Sequence, residues 1–117
     1  NDSFAALAAN IAREHHERVD GSGYLGLKGN QIHLEARIVS VADVFDALTS
    51  ARTYKDVWSF EEGARYILEH AGTYFDMDVV TAFDQAIDQV KTIYETNRAP
   101  QNTEATNGER RYRVWMF

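Results

Sequence analysis

EHHERVDGSGY, residues 14–24, sets two adjacent histidines between two glutamates and follows them with a glycine loop that carries a tyrosine. Upstream, Phe4, Leu7, Ala8, Ile11 and Ala12 recur at helical spacing, and Asp2 or Ser3 can cap the helix. His15 continues the row four residues after Ile11, and His16 four after Ala12. The spacing predicts a helix that ends near Asp20 and carries both histidines along or beside its buried face. No helix tolerates the glycine density that follows, with Gly21, Gly23, Gly26 and Gly29 inside nine positions.

Beyond the loop, the pattern predicts a second helix over residues 34–50. Leu34, Ile38, Val41, Phe45 and Leu48 form one apolar stripe, and Ala36, Val39 and Ala47 lie on the other side. A helix apolar on both sides is expected inside a core. Asp43 falls on the second side, so it needs a cation, a hydrogen-bond network or a metal. Arg37 and Arg52 are the candidate cations. Ser59 and Glu62 form a capping box for a third helix, residues 60 to about 71, with Gly72 as its stop. Asp76 can cap a fourth, to about residue 96. No strand and no internal repeat is legible. The expected fold is an all-α bundle of four main helices.

Composition narrows the chemistry. The chain has 117 residues, 44% hydrophobic, a net charge of −6 and no cysteine. That suits one domain and excludes thiolate metal sites, so any metal would take nitrogen and oxygen ligands. The acidic balance argues against binding a nucleic-acid duplex. No apolar run has the length of a membrane span, and nothing resembles a signal peptide. From residue 97 onward the composition turns polar and the charge is +2, against −8 for the rest. This region reads as a flexible tail ending in a basic, aromatic segment.

Taken singly, the chemical signals are weak. Neighbouring helical residues point about 100° apart, so two adjacent histidines would serve two metals rather than one, or else be purely structural. Asp43 could be a ligand or half of a buried salt bridge. Asp46, on the same helix, suits a supporting role to a ligand. Arg52 and Lys55 would suit a phosphodiester or simply a solvated turn.

Together they resemble something specific. The run HHERVDGSGYLGLKGNQIHLEARIVSVADVFDALTSARTYK, residues 15–55, looks like the signature region of the HD-GYP family, a branch of the HD metal-dependent phosphohydrolases. The resemblance continues through SFEEGARYI and GTYFDMDVVTAF and covers roughly residues 8–90. It implies an all-helical domain that hydrolyses cyclic di-GMP, or in some members cyclic GMP-AMP, at two or three divalent metals, with iron or manganese expected. His15, His16 and Asp43 match metal ligands. Arg52 and Lys55 match the basic pair that contacts substrate phosphate. Gly23 and Tyr24 match the first two letters of the GYP motif, so the loop of Gly21, Gly23, Tyr24 and Leu25 is expected to govern access or to meet a diguanylate cyclase partner. Glu17, Asp20 and Asp46 are expected to support these residues. The metals would activate a water for in-line attack on phosphorus.

The sequence also departs from the pattern. The family's His-Asp pair lies upstream of the matching region, and nothing before His15 can supply it. Residues 1–96 are therefore expected to form a partial domain with three metal ligands, inactive or nearly so alone. The parent would be a cytoplasmic signalling protein such as a response regulator. A degenerate, non-catalytic interaction module is the alternative, and a homodimer that covers exposed helix faces is a third expectation. Leu25, Thr53 and Met77 stand where the family usually has proline, and losing proline at Leu25 is expected to loosen the loop.

Overall fold

The structure is a computed structural model, and it describes residues 3–50 and 57–97. Arg52, Lys55, Thr53 and the basic, aromatic tail lie outside the described residues. The described residues form five α-helices: α1 (Ser3–Glu14), α2 (Leu34–Thr49), α3 (Phe60–Glu69), α4 (Met77–Gln85) and α5 (Ile87–Asn97). Among them no strand occurs, only two isolated bridges, so the all-α expectation holds.

α2 is the hub and packs against α1, α3 and α4. Val41 and Phe45 of α2 meet Phe60 and Ile67 of α3, Phe75 and Val80 in one buried cluster. Phe45 touches Phe60 and Phe83 edge-on, with ring centroids 5.3 and 5.4 Å apart, a favoured arrangement for aromatic pairs. Gly63 lets α3 come this close: a Cβ there would lie 2.4 Å from Thr49 Cγ2.

The capping residues act as their sequence suggests. Ser59 Oγ accepts the Glu62 N–H at 3.0 Å while Glu62 Oε1 accepts the Ser59 N–H at 2.8 Å. Asp76 Oδ1 accepts the Val79 N–H, and Arg37 donates to its Oδ2 at 2.6 Å. Gly72, at φ 85°, follows the end of α3 in a backbone region that suits glycine.

Four expectations need correction. α1 stops at Glu14, not near Asp20: Glu17 donates only three residues back, to Glu14, and then Val19 donates to the Tyr74 carbonyl and Asp20 to that of Thr73. α3 ends at Glu69: the His70 amide is shared between the Tyr66 and Ile67 carbonyls, and that of Ala71 bonds three residues back, to Leu68. The expected fourth helix is two, separated at Ala86, whose φ and ψ are −97° and 14°. The break lets α5 set Tyr94 against Phe60, with centroids 5.3 Å apart. Finally, the apolar row of α1 is not buried: Phe4 is 80% exposed, and Leu34 and Ile38 at the start of α2 are about half exposed. α1 packs chiefly on α2, and residues 3–9 are exposed.

Candidate functional site

Because α1 ends at Glu14, His15 and His16 occupy the turn that follows it. Their rings do not diverge as two helical positions would. The centroids lie 4.1 Å apart, tilted by 41°. His15 Nδ1 lies 2.7 Å from the Ile11 carbonyl oxygen. A carbonyl only accepts, so Nδ1 carries the proton and Nε2 the lone pair. Nε2 faces Asp43 Oδ2 at 3.7 Å. The helix hub thus delivers Asp43 to the histidine turn, and Arg37, one candidate partner, is committed to Asp76 instead.

The electrostatics of this group are unbalanced. The Asp43 side chain is 29% exposed. Burial pushes its carboxyl above the ordinary range, with Asp46 adding to the rise and the two histidines opposing it. Burial and then the neighbouring His15 push His16 down. Both groups are driven toward their neutral forms, and a cation between them would restore the carboxylate. The 3.7 Å gap between His15 and Asp43 is roughly what two ligands at about 2.1 Å from one ion span at a wide angle. Nitrogen and oxygen donors of this kind fit a divalent transition metal. Among the described residues no three His, Asp or Glu side chains cluster closely enough to enclose an ion.

The loop after the histidines is tied down by buried carboxylates. Glu17 is 3% exposed. Its two oxygens accept the N–H of Leu25 at 2.8 Å and of Leu27 at 3.1 Å. Gly23 sits so close to this clamp that a Cβ would lie 2.8 Å from Glu17 Cα and 3.0 Å from Arg18 N, both backbone atoms. The Leu25 N–H in this clamp is a donor that proline would lack. Asp20 accepts from both the backbone and the hydroxyl of Ser22 and starts the turn. Gly21, at φ 88°, continues it. Tyr24 projects outward, 87% exposed, with its ring 6.1 Å from that of His16. Asp46 lies on the exposed side of α2, three residues beyond Asp43.

Four contributors escape the sequence reading. Glu14, 1% exposed, accepts from His33 through the backbone N–H and Nδ1, and from Arg13. It fastens the far end of the loop to the N-terminus of α2. The available signal was an acid three residues after Ile11, on the apolar row. Arg18, Tyr66 and Tyr74 join the histidines around a cavity of about 290 Å³. Periodicity offers no signal for these, because they come from three separate segments.

Comparison with known proteins shows the family. A family model described as HD domain matches residues 3–79. A cyclic di-GMP phosphodiesterase response regulator of Xanthomonas campestris is 50% identical over 91 residues, 77% of this chain and 24% of the relative. A probable cyclic di-GMP phosphodiesterase of Vibrio cholerae is 51% identical over 78 residues, 66% of this chain and 18% of the relative. A 3'3'-cGAMP-specific phosphodiesterase of the same organism is 43% identical over 75 residues, 63% of this chain and 14% of the relative. The chain spans about a quarter or less of the length of these relatives. No helix among the described residues is long and apolar enough to cross a membrane.

Proposed function

We propose that this chain, which belongs to the HD domain family, is part of a metal-dependent phosphodiesterase that hydrolyses cyclic di-GMP or a related cyclic dinucleotide. The observation that carries the proposal is the approach of Asp43 to His15, at 3.7 Å, behind a cavity that His15 and His16 line. The names of the relatives supply the substrate class.

His15, His16 and Asp43 would hold the metals, two or three in a complete domain, with iron or manganese the expected ions. A bound divalent metal lowers the pKa of a coordinated water and offsets charge on phosphate oxygens. The protein's own residues do the positioning. The Ile11 carbonyl fixes the His15 tautomer that a ligand requires. Glu17 holds the loop that frames the cavity. Arg52 and Lys55 would neutralise the phosphodiester. Asp20 sets the turn and Asp46 tunes the Asp43 carboxylate. The ligands present are fewer than a closed shell, so the chain alone is expected to turn over little substrate. The active protein would be a longer cytoplasmic signalling protein of the response-regulator kind.

The test is metal content per chain, prepared anaerobically, beside a His15→Ala His16→Ala control, followed by hydrolysis assays on the longer parent with Asp43→Asn. Bound metal in the wild type alone, with hydrolysis lost in the Asp43 variant, is the expected result. Unchanged turnover in that variant would refute the proposal.

A second reading rests on the exposure of Tyr24. The loop would then dock a diguanylate cyclase domain without chemistry, and binding would survive metal stripping but not Tyr24→Ala. A homodimer covering the exposed Leu34 and Ile38 face would show as a mass that rises with concentration.

A further inference from the structure

The cavity beside the histidines has a second wall that the proposed chemistry does not use. The guanidinium carbon of Arg18 lies over the Tyr74 ring, 3.9 Å from its centroid. Tyr74 stacks on His70, with centroids 4.4 Å apart and planes within 10°. His70 lies 4.3 Å from the Tyr66 ring, and its Nδ1 is 2.9 Å from the Tyr66 carbonyl oxygen. One cation and three rings thus form a continuous column. Arg18, Tyr66 and Tyr74 face the same cavity as His15 and His16.

The column is held from behind. The residue before Arg18 is the buried Glu17. The residue after it, Val19, donates its N–H to the Tyr74 carbonyl at 3.2 Å. The backbone that carries the cation is therefore bonded to the backbone that carries its ring. A guanidinium has its N–H donors in one plane, in a fork that matches a pair of neighbouring acceptors. Guanine offers such a pair, O6 and N7, on one edge. Adenine sets a donating amine beside N7, which opposes a cationic donor.

We propose that Arg18, held over Tyr74, is a specificity-determining residue that reads the guanine base of the nucleotide whose phosphodiester lies at His15, His16 and Asp43. This rests on the phosphodiesterase reading and adds to it a base subsite. Tyr74 acts as the positioning residue for Arg18.

NMR titration of the chain with cyclic di-GMP and, separately, cyclic di-AMP tests it, with Arg18→Ala, Tyr74→Leu and Tyr74→Phe beside the wild type. The wild type is expected to prefer cyclic di-GMP. Arg18→Ala should weaken cyclic di-GMP about tenfold and leave cyclic di-AMP nearly unchanged. Tyr74→Phe keeps the ring and should bind as wild type, whereas Tyr74→Leu should resemble Arg18→Ala. Arg18 is exposed, so its variant folds even if Tyr74→Leu does not. Wild-type affinity in Arg18→Ala, or an equal loss for both nucleotides, overturns the base subsite and leaves the phosphodiesterase reading standing. A wild type that binds neither nucleotide also overturns the base subsite, and the hydrolysis assay on the longer parent then decides the phosphodiesterase reading by itself.

Discussion

The α2–α3–α4 core and the loop over residues 15–33 are held by opposite means. The core closes on six buried apolar residues, from Val41 to Val80. The loop anchors one apolar side chain, Ile32, near its end, leaves Tyr24 and Leu25 exposed, and depends on two buried carboxylates, Glu14 and Glu17, that accept its amides. Burial is non-directional and sums over area, so the core tolerates approximate shapes. Hydrogen bonds to a buried carboxylate are directional, so they can aim a loop at a cavity while leaving its tip in water.

Breaking the core should cost most. Ile67 is fully buried, and Ile67→Ala is expected to lower unfolding free energy by about 2–5 kcal/mol in urea titrations. Gly63→Ala comes next. The added methyl meets Thr49 and should cost about 1–3 kcal/mol, pushing α3 off α2.

The loop should break locally. Glu17→Gln leaves one amide acceptor where there were two, a loss of about 1–3 kcal/mol. Hydrogen exchange at Leu25 and Leu27 should accelerate while that at Ile67 does not. Equal acceleration at all three would mean that the loop and the core are one cooperative unit.

Acid separates the carboxylates further. Burial alone would raise Glu14, but its bonds to His33 and the charge of Arg13 outweigh it and hold the carboxyl below the usual range. Asp76 behaves alike: burial raises it, and the Val79 N–H and Arg37 outweigh that. A depressed folded pKa stabilises the fold above the ordinary carboxylate range, about pH 4, and that contribution is lost as pH falls through the folded value. Thermal melts from pH 7 to pH 2.5 should therefore fall steeply below pH 4, and less steeply in Glu14→Gln. The smallest effect is expected at Tyr24→Ala, within about 0.5 kcal/mol of wild-type stability.

Much of this was legible in the chain. The caps at Ser59 and Asp76 and the apolar stripe through Val41 and Phe45 depend on residues close together in sequence, and they appear where the pattern puts them. The end of α1 did not, because the Thr73 and Tyr74 carbonyls that take the Asp20 and Val19 amides lie more than fifty residues away. The site divides in the same way. Asp43 announced itself as an acid in an apolar helix. Its placement 3.7 Å from His15 required α1 and α2 to pack. A supporting role for Glu17 is legible from the resemblance, but that it supports the loop through the Leu25 and Leu27 amides is visible only once the loop folds back onto it.

By itself the sequence determined the helical class, the caps and the resemblance carried by residues 15–55, since these follow from local periodicity and residue type. Only the tertiary structure decided that His15 meets Asp43, that Glu17 accepts the Leu25 N–H, and that Arg18 lies on Tyr74. Such contacts join segments distant along the chain, and their geometry is set by the packing of whole helices rather than by any one residue's preference.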